Sequence, residues 1–145
     1  MKEKTYEEIA KDKISTVYHD KWEDGMRFVI LRGPNSLCAY IGIPKDHLLA
    51  GFDYDDLPVE AHGGLTYSND YLKGVKSRTE WWYGWDYGHC DDYAFYYLDK
   101  NIPFGGGKKW TVEMVRNDSW IPLRGIQQLM DITQEIRDKV KNEDR

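Results

Sequence analysis

Asp86, His89 and Asp92 recur at intervals of three in the segment WWYGWDYGHCDD, and His62 stands just before the pair Gly63–Gly64. On a helix or a tight turn, side chains three apart lie near one face, and His62 can join them from a neighbouring strand. Two imidazoles and two carboxylates suit zinc, manganese or iron with one position left open for water. A divalent metal held by Asp86, His89, Asp92 and His62 would bring its bound water into the neutral range, ready to attack a phosphodiester or an amide. Such a chain would be a metal-dependent hydrolase, with Thr66 or Tyr67 orienting the substrate. The same residues also admit a structural reading. In it His62 donates to a buried carboxylate, Asp86 caps a turn, and the set stiffens a polar seam within an aromatic core.

Other chemistry is less well supplied. Cys90 has His62 as a candidate base and the Gly63–Gly64 amides as a candidate oxyanion hole. The adjacent His89 cannot serve that thiol in a strand, where neighbouring side chains point to opposite faces. A buried reduced thiol is the alternative. No G-x-S-x-G elbow occurs. The run Gly105–Lys109 (GGGKK) lacks the spacing of a phosphate-binding loop and reads as a flexible connection.

Aromatic residues are abundant, at six Trp, eleven Tyr and four Phe. In an extended WWYGWDY segment, Trp81, Tyr83 and Trp85 share one face and belong in a core, while Trp82 and Asp86 share the other. Trp82 is then the ring left to line a pocket beside His89. That pocket would be built from His62, Gly63, Gly64, Thr66, Tyr67, Trp82, Asp86, His89 and Asp92. It would take a protein partner or a nucleotide-like small molecule through aromatic anchors and a few placed polar groups.

The 145 residues fit a single domain, 1–145, with one core. A net charge of −5 argues against direct nucleic-acid binding, which draws its affinity from Lys and Arg displacing counterions. No apolar run reaches the length of about 18 residues that spans a bilayer. The charged opening MKEKTYEEIAKDK is not a secretory signal. Cys38 and Cys90 form no C-x-x-C pair, so both are expected as reduced thiols in a cytoplasm.

The elements that must position these residues follow from local pattern. Thr5 and Glu8 form a capping box that starts a short helix near Tyr6, with Ile9 and Ile14 turned inward. MRFVILR and LCAYIGIP are two strands joined by the four-residue loop GPNS. VEAHGGLTYS reads as a strand broken by its glycines and TEWWYGWDY as another. DDYAFYYLDK fits a strand or a single helical turn, and WTVEMVR a last strand. From Pro122 onward, Ile126, Leu129, Met130, Thr133, Ile136 and Val140 recur at helical spacing. The expected fold is α+β: a small antiparallel sheet with a short N-terminal helix and a C-terminal amphipathic helix packed on it.

The segment LCAYIGIPKDHLLAGFDYDDLPVEAHGGLTYSN, followed by WWYGWDYGHCDD, resembles a family of small bacteriophage and prophage proteins. That family carries a Gly-Tyr-Val-x-Val-Pro-like stretch, an acidic loop, H-G-G-L-T-[YF]-[SA] and W-W-x-G-[FW]-D-x-x-H-x-x-D. The match runs over residues 37–92, with His62, Gly63, Gly64, Leu65, Thr66, Tyr67, Trp81, Trp82, Gly84, Asp86, His89 and Asp92 at the matching positions. The chain departs from the pattern in DYGHCDD, where relatives have DCAHAGD, and in its C-terminal helix. The resemblance implies a phage setting. In that setting the expectation is a binding protein of the host bacterial cytoplasm that inhibits or sequesters a component of host defence, homo-oligomeric or not.

Overall fold

The computed structural model describes residues 2–100 and 107–143. In chain order the elements are α1 (Tyr6–Ala10), β1 (Val17–Glu23), β2 (Met26–Arg32), β3 (Leu37–Pro44), a 3-10 turn at Tyr54–Asp56, β4 (Tyr67–Asn69), β5 (Glu80–Asp86), α2 (Phe95–Asp99), α3 (Val112–Asp118) and α4 (Trp120–Glu143). The five strands form one sheet in the order β1-β2-β3-β5-β4, each pair antiparallel. With helices packed on that sheet, the fold is α+β, as the sequence pattern predicts.

Alternation assigns the two faces. Phe28 and Ile30 of β2, Ile41 and Ile43 of β3, and Tyr83 and Trp85 of β5 point into the main core, which the helices cover through residues such as Ile9, Phe95, Val115 and Ile126. The intervening Val29, Leu31, Cys38 and Trp82 form a second, smaller cluster on the other face, closed by Leu72 and Val75 from the loop before β5. A strand that buries apolar side chains on both faces reads as a continuous hydrophobic run, as MRFVILR does.

The hairpin loop Gly33–Ser36 is held by Arg32. Its guanidinium donates to the carbonyls of Gly33 and Pro34 at 2.7 and 3.0 Å and to that of Ala10 at 2.8 Å, and it lies 4.2 Å from the centre of the Phe95 ring. One buried cation therefore joins the loop, the end of α1 and α2, with three carbonyls replacing its lost water.

Several sequence expectations need correction. The capping box is present at Thr5 and Glu8, but α1 ends at Ala10 and Ile14 is exposed. WTVEMVR is helix α3, not a strand, because the Thr111 hydroxyl accepts from the Met114 amide and starts a helical turn. Of VEAHGGLTYS only Tyr67 and Ser68 are strand, since positive φ at Gly63 and Gly64 turns the chain out of line. DDYAFYYLDK resolves to the single-turn helix α2. β1 lies at an edge, polar and largely exposed, and its only strong sequence cue is the Asp24–Gly25 turn, with φ of 51° and 78°. α4 begins at Trp120 and packs through Pro122 and Ile126, whereas Ile132, Ile136 and Val140 are exposed. No described helix is long and apolar enough to cross a membrane. Gly105 and Gly106 lie outside the described residues. Lys108 and Lys109 are held, the former by backbone bonds to Asp91 and Tyr93, the latter by Glu7 at 3.1 Å.

Candidate functional site

Gly63 and Gly64 adopt φ of 69° and 85°, and the Gly64 amide closes a turn on the Ala61 carbonyl at 2.9 Å. The turn delivers the His62 ring into the molecule, where Nε2 meets Asp92 Oδ2 at 2.7 Å. A Cβ at Gly63 would come within 2.1 Å of His89 Nε2. Both backbone conformation and the His89 ring therefore demand glycine at position 63. HGGLTYS and WWYGWDYGHCDD thus meet in space, through the His62–Asp92 bond and the Gly63–His89 contact.

The dyad sits in a box of rings. Tyr87 stacks on His62 at 4.6 Å with an interplanar angle of 12°, and Trp110 meets it edge-on at 4.9 Å. Asp92 also accepts from Trp110 Nε1 at 2.8 Å and from the His89 amide at 3.0 Å. Burial pushes the Asp92 carboxyl up, but the three donors, led by His62, outweigh it and hold the group below the ordinary carboxylate range. Asp92 is therefore an ionised acceptor at neutral pH, which puts a proton on His62 Nε2.

A second relay runs beside the first. Trp85 Nε1 donates to the Tyr87 hydroxyl at 3.0 Å, which donates to Asp118 Oδ2 at 2.8 Å. Burial, with Asp118 adding to it, pushes the Tyr87 phenol well above its ordinary value, so the hydroxyl keeps its proton. Glu60, Ala61, His62, Asp118, Ile121 and Pro122 line a hollow of about 180 Å³. On another side of the start of α4 a cleft of about 580 Å³ is lined by Glu23, Asp24 and Asp131, with one cation, Arg124. Trp120 lines that cleft and is 59% exposed.

The remaining predicted residues are dispersed. Trp82 does not line a pocket beside His89: it is fully buried in the cluster on the opposite face, its indole against Gly42. Tyr67 packs against that same cluster, edge-on to Tyr40 at 5.2 Å. Thr66 is exposed, its amide bonded to the Gly84 carbonyl. Asp86 accepts from the Gly88 amide at 3.0 Å and lies 3.5 Å from His89 Nε2.

Among the described residues no three His, Cys, Asp or Glu side chains are grouped to hold a metal. The reason is local. Asp92 has both oxygens engaged by His62, Trp110 and the His89 amide, and Asp86 accepts from the Gly88 amide of its own turn. Of the two amides expected to form an oxyanion hole, that of Gly64 is bonded to the Ala61 carbonyl. Cys90 is exposed and Cys38 buried, both as free thiols, and burial pushes the Cys38 thiol up to about 11.

Tyr87, Trp110, Asp118 and Glu60 complete the site although pattern reading passes over them. Tyr87 lies inside WWYGWDYGHCDD, and its signal is a buried hydroxyl's demand for a partner. Trp110 and Asp118 are 18 and 31 residues from the groups they bond, and nothing local marks them. Comparison of the chain with protein-family models, curated proteins and solved structures gives no match.

Proposed function

We propose that the chain is a binding protein whose contact face surrounds His62 and the first turns of α4, and that its partner presents a basic group to that face. The observation that carries this reading is the hollow itself, with the carboxylates of Glu60 and Asp118 and the His62 imidazole in its walls. Its position is fixed by the Asp92 and Tyr87 bonds, so little is left to order on binding. At about 180 Å³ it is smaller than the roughly 300–1,000 Å³ of a drug-sized ligand site. It suits the head of one side chain, and two carboxylates favour an ammonium or guanidinium.

Around it lie the features of a protein contact. Trp120 and Ile121 are exposed at the start of α4, and an exposed Trp next to a cleft is the residue type that dominates interface energetics. The cleft beside it sets three carboxylates against one cation, a surface that steers a basic partner. The full engagement of Asp92 favours this reading over a metal-dependent hydrolase. In the phage setting implied by the motif resemblance, the partner is a host protein in the bacterial cytoplasm, a component of defence, and the chain acts by sequestering it.

The test is affinity capture from host lysate with variants chosen by position. Trp120→Ala and the pair Glu60→Gln, Asp118→Asn should release a partner that wild type retains. Tyr96→Ala, which removes another exposed ring, from α2, should keep it. Equal retention by all variants, or equal loss with Tyr96→Ala, would overturn the reading.

A further inference from the structure

A further cavity has no part in the site above. About 930 Å³ in volume, it lies beside the loop between β4 and β5, lined chiefly by Lys45, Asp70, Tyr71, Lys76, Ser77 and Arg78. Three cations against one carboxylate make it locally basic, in a chain whose net charge is −5. Three arginines elsewhere are committed. Arg27 forks onto Asp20 and reaches Glu80, Arg32 is taken by three carbonyls, and Arg116 pairs with Glu113. Lys76 and Arg78 have no hydrogen-bond or ion-pair partner among the described residues, and Lys45 has only Asp70 at 4.0 Å.

The loop that carries these side chains is not loose. Leu72 and Val75 are buried under Trp82, and Gly74, at φ 92°, packs on Ser15 so closely that a Cβ would sit 2.8 Å from the Ser15 carbonyl oxygen. The Lys45 amide bonds the Thr79 carbonyl at 2.9 Å. Glu80, buried and ion-paired with Arg27, accepts from the hydroxyls of Ser77 and Thr79. Lys76 and Arg78 are therefore carried on an anchored loop, and the ring of Tyr71, 57% exposed, lines the same cavity.

We infer that this cavity is a second binding site, on the other face of the sheet, for a phosphorylated small molecule with a flat ring, a nucleotide. Lys45, Lys76 and Arg78 would hold the phosphates, Arg78 as a two-pronged donor. The Tyr71 ring would lie against the base, and Asp70 would accept from a sugar hydroxyl. The volume matches that of a nucleotide-sized ligand rather than a lone anion. The inference does not depend on the reading of the His62 face, and either can fail without the other.

Titration calorimetry of the whole chain with nucleoside triphosphates, and with inorganic tripolyphosphate as the ring-free control, tests it. Nucleotides should bind in the micromolar to millimolar range, more weakly as salt rises, and at least tenfold tighter than tripolyphosphate. Lys76→Glu with Arg78→Glu should weaken nucleotide binding at least tenfold, and Tyr71→Ala should weaken nucleotide but not tripolyphosphate. Trp120→Ala, on the other site, should leave nucleotide affinity unchanged. All three positions are exposed, so the variants keep the fold, which unfolding curves would verify. No heat with any nucleotide, affinity unchanged in the double variant, or tripolyphosphate binding as tightly as the nucleotides would each overturn the assignment.

Discussion

At the scale of single residues, Asp92 does the most. It holds His62, the Trp110 indole and the turn at His89 through one ionised carboxylate. Replacing it by Ala leaves three donors without their acceptor and should cost at least about 3 kcal/mol, each charge-assisted bond being worth about 1.5–3 kcal/mol. Chemical denaturation would measure this, and a loss under about 1 kcal/mol would contradict the assigned role. The pH dependence has a defined sign. The folded Asp92 carboxyl titrates below its ordinary value of 3.8, so its stabilisation is complete above that value and is lost as pH falls through the lowered folded pKa. The Asp92→Asn protein should therefore show a flatter decline of stability below about pH 4 than wild type; parallel acid limbs would contradict the account. Gly63→Ala meets a left-handed φ and the His89 ring together. It should destabilise by more than the roughly 1–2 kcal/mol of the backbone term alone, whereas Gly64→Ala, with open space around its Cβ position, should cost only that term. Equal losses at the two glycines would show that the His89 contact carries no weight.

At the scale of elements, legibility tracked how local the determining interaction was. The β2–β3 hairpin is readable to its ends because two apolar runs flank a turn-forming loop, and the start of α1 because its capping box lies within four residues. Helix α3 was not, since WTVEMVR has a β-rich composition and a single hydroxyl, Thr111, tips it to helix. Thr111→Ala should therefore cost about 1 kcal/mol, read as a lowered unfolding midpoint; no change would mean that packing of Val115 alone fixes α3. β1 carries no apolar alternation because an edge strand needs none, and Asp24–Gly25 marks only its turn. The core face of β5 was legible from period-two alternation, but the use of its other face was not. Trp82 is buried under Leu72 and Val75 from a loop with no regular pattern, and a sequence read one segment at a time cannot see that cover. For the same reason the His62–Asp92 pair was accessible as a possibility, whereas Trp110 and Asp118, brought in by α3 and its approach, were not.

At the scale of the whole molecule, the sheet separates two surfaces of opposite character. The helical face carries the acidic hollow at His62 and the exposed Trp120, and the other carries the basic cavity at Lys45, Lys76 and Arg78. An overall charge of −5 conceals this division, and only the fold sorts the residues onto their faces. The central claim is that the His62 face receives a basic group. It is tested most directly by following the backbone amide and Trp indole NMR signals of the ¹⁵N-labelled protein while triarginine and trilysine peptides are added. The account predicts saturable shifts confined to Glu60, His62, Asp118, Trp120 and their neighbours, abolished by the Glu60→Gln, Asp118→Asn pair. Shifts spread evenly over the acidic surface, or unchanged in that double variant, would contradict it.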